Sequence, residues 1–360
     1  MLHAKLTLHS SPLDVITRIQ IPSTRAPMAR PVTAFLPRSL TVLRFHCSSS
    51  TCLMKCCCSG DRGSLVGSTR VAYGASDFLL SAMTANKENL RNLPKNSGDF
   101  KTSAIIADIF RITQQLGLDP LVGYQAVELL QRFMVKHLTG YLSASPSLSD
   151  DQPIHNEELV EKFPLILFSC IRLASKLSFY SQMIDSNVAV RLLYSLGHSV
   201  TKQGVLELEL MVLKGLEFRL DFPNPLTYVE TLLEVLRHNE PCVPVQLLYH
   251  QCRHVLLFIT LQRKAFYESL LITSLQTSSS SSSPSQKQRE KFVTVTEDYM
   301  LLGVGVISVS AFILCFRMWQ QVVAELSHMT GITKRSITDF TFVTVKLIID
   351  PHPTSSHLTH

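Results

Sequence analysis

Glycine and charge are both scarce in this chain. There are 14 glycines and one tryptophan in 360 residues, and Asp, Glu, Lys and Arg together make up 17%. The sequence has no glycine-rich phosphate loop, no Cys/His set at metal-ligand spacing and no nucleophile motif. These absences argue against nucleotide hydrolysis, zinc modules and covalent catalysis. No nucleophile, base and orienting group fall together. An enzyme is therefore the least expected class, and neither cofactor nor metal is expected. His198, in the phrase LGHS, reads as a helix-end residue beside Gly197 rather than a catalytic base.

The nine cysteines form no disulfide framework. Five (Cys47, Cys52, Cys56, Cys57, Cys58) crowd one short segment, and four (Cys170, Cys242, Cys252, Cys315) lie in apolar patterns where Cys acts as a small hydrophobe. An odd count without framework spacing fits a reducing compartment, nuclear or cytosolic.

Of the chain's 34 Lys+Arg and 28 Asp+Glu, residues 1–60 hold seven basic residues and one acid. The remainder carries 34 − 7 = 27 basic and 28 − 1 = 27 acidic residues, so it is formally neutral. A neutral body attracts phosphate weakly, and direct DNA binding by the folded part is not expected.

What is abundant is leucine-rich helical patterning, with 46% hydrophobic residues and a mean hydropathy of +0.18. An all-α class follows. Residues 1–75 are Ser-, Arg- and Pro-rich and acid-poor, as a mitochondrial leader would be, but Pro12, Pro22, Pro27, Pro31 and Pro37 interrupt any amphipathic helix. Lipidation or metal binding at Cys56–Cys58 is a second reading, and a disordered extension, or one not made in the cell, is the expectation adopted. Met54 and Met83 are alternative starts.

Helices are expected from about Asp77 to Leu90, on the Ile105–Ile109–Ile112–Leu116 stripe and on Val127–Leu130–Phe133–Met134. Residues 139–156 read as a polar loop. Phe163 to Leu177 is apolar nearly all round, with only Arg172 and Lys176 charged, so it belongs in the middle of a bundle. Thr201 caps the next helix but one, where Val205, Leu208, Val212 and Leu216 form a buried stripe, widened in this reading by Leu206, Leu210 and Leu213. Asn224 before Pro225 starts another helix. Beyond it, helices are expected at Val245–Leu261, Lys264–Thr273, Thr296–Phe316, Trp319–Leu326 and Ile337–Ile349, with a flexible serine run at Ser278–Ser283. Met300–Phe316, about 17 residues, sits at the lower limit for crossing a bilayer. Its small residues and acidic flank suit a buried central helix, and no membrane is expected. Ser145-Pro146 and Ser283-Pro284 are minimal proline-directed phosphorylation sites.

The phrases LASKL, GHSVTKQGVLELELMVLKGLEF and PNPLTYVE resemble the cyclin box. The resemblance covers roughly 70–350 and points, within the cyclins, to a meiotic nuclear group associated with crossover maturation and with limiting recombination sites. It implies a cyclin fold with two helical cyclin-box bundles, the second divergent. The boundaries are 1–75 for the extension, 76–222 for an N-terminal helix and first box, 223–350 for the second box and 351–360 for a tail. It implies a cyclin-dependent kinase as partner, contacted through Lys176 and Glu209. Other implied partners are meiotic crossover proteins and ubiquitin-ligase or replication-factor components. The implied location is the nucleus, on meiotic chromosomes, and also the cytoplasm. An alternative is a cyclin-fold scaffold that activates no kinase.

Two departures bear on this. Many cyclins pair an Arg of an MRAIL-like phrase with the Asp of DRF. Here those positions read Thr102 and Gln131, so both partners of the pair are expected to be lost together. The position of the substrate-docking Trp falls on Asp108, so docking of RxL-type substrates is not expected. Lys87-Glu88-Asn89 resembles the KEN degradation signal read by the anaphase-promoting complex.

Overall fold

The computed structural model describes residues 65–94, 96–143, 152–178, 183–220, 224–276 and 284–349. The expectations for residues 1–64, the loop between Ser143 and Gln152, the serine run and the tail fall outside them. The described residues form thirteen helices and no strand. The chain divides into two compact units, split at Gly98/Asp99 and at Phe222/Pro223.

The described part of the first unit holds α2 (Ser103–Gln115), α3 (Pro120–Ser143), α4 (Gln152–Leu177), α5 (Ser186–Ser195) and α6 (Lys202–Gly215). The helix α4 is central, packing on α2, α3 and α6. From Ile166 to Ser175 every residue is buried, as its all-round apolar sequence requires. Ser169 and Ser175 turn their hydroxyls to the carbonyls of Leu165 and Arg172, so their small size costs no unsatisfied polar group. The loop expected at 139–156 is shorter, because α3 runs to Ser143 and α4 starts at Gln152. Pro153 lies in the first turn, where a missing N–H is no loss. Three caps set the helix starts: Thr102 accepts from Ile105 N, Asp185 from Asn187 and Val188 N, and Thr201 from Gly204 N.

The second unit holds α1 (Leu65–Arg91) and α7 to α13, namely Pro225–Asn239, Val245–Leu261, Arg263–Gln276, Gln286–Thr296, Tyr299–Leu314, Phe316–Thr330 and Lys334–Ile349. Thus α1, grouped above with the first box and read as starting near Asp77, starts at Leu65 and packs on α7 and α11. Buried Asn86 explains the docking. Its amide donates to Asp298 (2.9 Å) and accepts from Tyr299 N (3.2 Å). The KEN residues Lys87 and Glu88 follow directly and are exposed on this helix.

The hydrophobic run read as a candidate span is α11, the central helix of this unit, buried from Met300 to Ala311 except at Leu301. It is surrounded by α7, α8, α12 and α13. No single described helix is long and apolar enough to cross a membrane. Its small residues do what their spacing implied: Gly305 lies against the ring of Phe340, and Ser308 links to Thr341 (2.7 Å) and accepts from the Trp319 indole N–H (2.9 Å). Only α10 was missed. It has no buried residue and is started by a Ser285–Gln288 capping box after the serine run.

A Cβ on Gly305 would lie 2.3–2.6 Å from Phe340 ring atoms, and that ring is itself packed edge-on to Phe266 at 4.7 Å. Gly305→Ala should therefore lower stability by about 1–3 kcal/mol in urea or thermal unfolding. Gly303→Ala, whose Cβ would meet a Leu232 methyl at 3.0 Å and Tyr228 Cβ at 3.3 Å, both farther than the Phe340 ring atoms at Gly305, should cost less.

Candidate partner-binding site

The two residues expected at the site are brought together. Lys176, in the last turn of α4, places Nζ 2.8 Å from Glu209 Oε2 on α6. Glu209 is buried, while the Lys176 side chain is 37% exposed. A third residue, Arg172, completes the cluster and was noted in the sequence only as a charge in an apolar helix. Its Nη1 lies 2.8 Å from the same Glu209 oxygen. Its Nε donates to Ile184 O (3.1 Å) and its Nη2 to Ser186 Oγ (2.9 Å). The signal was available: Arg172 and Lys176 are spaced i,i+4 on one face of a helix with no room for solvent. Such a pair demands a carboxylate from a neighbouring helix.

The outer face of α6 departs from its sequence reading. Val205, Val212 and Leu216 point inward, as expected for that stripe, while Leu208 is half-buried; Glu209, expected to face the partner, points inward as well. Leu206 and Leu210, read as widening the buried face, are 44% and 43% exposed, and Leu213 is half-buried. Leu177, next to Lys176, and Phe218, past the end of α6, are also exposed. The periodicity identified an apolar row; no described helix covers it.

The α6 terminus has unusual backbone. Glu217 and Phe218 have φ of +54° and +58°, the only positive values among described non-glycine residues. Two consecutive left-handed residues cost roughly 1–2 kcal/mol each. Lys136 on α3 hydrogen-bonds Glu217 at 2.6 Å and holds its carboxyl below the usual carboxylate range.

The Arg–Asp pair expected to be lost is absent at Thr102 and Gln131, and a different buried ion pair stands beside them. Lys101 and Glu128 meet at 2.8 Å, both nearly inaccessible. Lys101 stands one residue before Thr102, and Glu128 one helical turn before Gln131. Thr102 instead caps α2, and the Gln131 side chain accepts from Phe100 N (2.9 Å). Shifting both partners keeps the charges matched, where shifting one would strand the other. Asp108 is paired with Arg111, and its burial pushes its carboxyl up against that pairing. His198 closes the end of α5, its N–H bonded to Leu193 O.

An all-helical unit built around a largely buried central helix, with a second unit arranged likewise, defines a cyclin-type protein. The Cyclin, N-terminal domain family matches residues 82–221. Cyclin N-terminal domain-containing protein 1 of Homo sapiens is 41% identical over 273 residues, spanning 74% of this chain and 82% of the human protein. The Mus musculus protein of the same name is 39% identical over 271 residues, spanning 73% and 80%. The chain belongs to the cyclin N-terminal domain-containing protein 1 family.

Lys101→Met would remove the cation 2.8 Å from buried Glu128, and should destabilise the protein by roughly 3–5 kcal/mol. The double replacement Lys101→Met with Glu128→Leu should recover most of that loss. Chemical denaturation of the three proteins measures the coupling.

Proposed function

We propose that the first unit binds a cyclin-dependent kinase, and that the chain, without chemistry of its own, acts in the nucleus to mature meiotic crossovers and limit recombination sites. The observation that carries the binding reading is the exposed Leu206–Leu210 row beside the Lys176–Glu209 pair. Isolated exposed leucines are ordinary, but two of them one turn apart on the helix that supplies the carboxylate partner of Lys176 have the make-up of an interface core. A kinase of this class requires a glutamate-bearing helix to be pushed into place before its lysine can hold the ATP phosphates. A rigid apolar face with few polar anchors does that by packing. The meiotic role rests on resemblance to the group named above, supported by the shared length and identity.

The anchors differ in kind. The Lys176 side chain is partly exposed, and its ammonium has donors beyond the one given to Glu209. Glu209 is enclosed by two cations and acts by fixing Lys176. A scaffold that recruits repair or ubiquitin-ligase components without activating a kinase is the second reading. Asp108 favours it, because a charged Asp108–Arg111 pair stands where substrate docking needs an apolar ring.

The test is affinity purification from meiotic tissue read by mass spectrometry, comparing wild type with Leu206→Asp/Leu210→Asp and with Lys176→Glu. A cyclin-dependent kinase should be recovered with wild type, and its recovery should fall at least tenfold with either variant. A kinase held equally by all three would place its contact elsewhere. Repair or ubiquitin-ligase proteins without a kinase would leave the scaffold reading. Glu209→Lys is unsuitable here, since a third cation beside Arg172 and Lys176 tests folding instead.

A further inference from the structure

Three helices of the first unit end in the same way. At α2, Gly117 N bonds Gln114 O and Leu118 N bonds Thr113 O, with Gly117 at φ +64°. At α5, Gly197 N bonds Tyr194 O and His198 N bonds Leu193 O, with Gly197 at φ +89°. At α6, Glu217 N bonds Lys214 O and Phe218 N bonds Leu213 O, with Glu217 at φ +54°. This is the double-bonded C-terminal motif that favours glycine at its left-handed position. Two ends have that glycine; the third has Glu217, followed by a second left-handed residue.

The glycine of this segment sits elsewhere, inside α6. A Cβ on Gly215 would lie 2.5 Å from the Phe133 ring and 2.6 Å from His137 Nε2, so Gly215 lets α6 close onto α3. That approach brings Glu217 within 2.6 Å of Lys136, the residue preceding His137. Both side chains are about half exposed, 48% and 58%, so the pair adds little to global stability. It is local: it fastens the Glu217 side chain to α3, with Arg219 Nε 4.0 Å from the other carboxylate oxygen, at a turn whose backbone glycine would adopt freely and Glu would not. The product of that conformation is Phe218, a large apolar ring left 63% exposed.

We propose that Glu217 is a positioning residue, held by Lys136, that fixes Phe218 in its outward setting so that the partner protein of the first unit reads a preformed ring. This deepens the proposed function and rests on it for the identity of the partner. A ring already in place spares the partner the ordering cost of a flexible turn. The same strain would have no use in a terminus that only ends a helix.

The test uses the full chain carrying 4-fluorophenylalanine at position 218, observed by fluorine NMR, in wild type, Lys136→Ala, Glu217→Ala and Glu217→Gly. Binding to the kinase recovered with wild type is measured by calorimetry on the unlabelled proteins, with Phe218→Ala included. Lys136→Ala and Glu217→Ala should shift or broaden the fluorine line and weaken binding about two- to fourfold, with the melting temperature little changed, and Lys136→Ala, which leaves Arg219 Nε 4.0 Å from Glu217, should have the smaller effect. Glu217→Gly should restore both the line and the affinity, because glycine takes φ +54° without a tether. An unchanged line in Lys136→Ala and Glu217→Ala overturns the positioning role, whatever the partner. A shifted line with unchanged affinity overturns the claim that a partner reads Phe218, while leaving kinase binding standing. If wild type binds no kinase, the partner clause falls with the proposed function, and the fluorine line alone decides the positioning.

Discussion

One buried carboxylate organises the first unit. Among the described residues Glu209 is the acid placed against Arg172 and Lys176, and those two cations sit on the central helix around which the unit is built. Apolar packing alone would let α6 rotate or slide along α4 at small cost, since leucine rows are interchangeable at neighbouring registers. A buried charge is not interchangeable: moving it by one turn would leave an ion in a low-dielectric interior without its partner. Arg172 extends the constraint to the start of α5 through Ile184 O and Ser186. A single side chain thereby sets the relation of three helices, and with it which face of α6 turns outward.

The Lys101–Glu128 pair applies the same rule at the first helix of the unit. A comparison of positions made the pair look lost, because Thr102 and Gln131 occupy the places of the Arg and Asp. A buried Lys–Glu pair nevertheless stands beside those positions. The vacated positions found other polar work, as a helix cap and as an acceptor for a backbone N–H. Position-by-position reading fails here for a physical reason: a long lysine side chain on a neighbouring residue can reach the same pocket, and a glutamate one turn away on a helix points in nearly the same direction.

The legible parts of the sequence were those where local chemistry decides. The all-round apolar α4 and α11, the caps at Thr201 and Asn224, and the glycine at the end of α5 follow from residue type and spacing. The polar helix α10 was not legible, because it buries nothing and owes its start to a capping box in a serine-rich setting. The docking of α1 on the second unit was not legible either, since Asn86 reveals its role only beside Asp298 and Tyr299. At the candidate site, Lys176 and Glu209 were identified by resemblance, and Arg172 was the member that charge balance should have added. Leu206 and Leu210 show the deeper limit. Periodicity reports that a face is apolar; whether the chain itself covers that face is a property of the assembled helices.

An uncovered apolar row is a solubility hazard unless something limits which surfaces can cover it. Here the limit comes from the residues around it. Lys176 places one donor at the edge of the row, and a partner that buried it without an acceptor would lose more than the leucines supply. Phe218 is held in a backbone conformation that a second α-helix end would not normally adopt, so its ring demands a pocket at one place. Packing supplies the attraction, and the anchored charge with the strained turn supplies the selection. On the proposed reading, that division accounts for the polar groups being held, Lys176 by Glu209 and Glu217 by Lys136, while Leu206 and Leu210 need only be exposed.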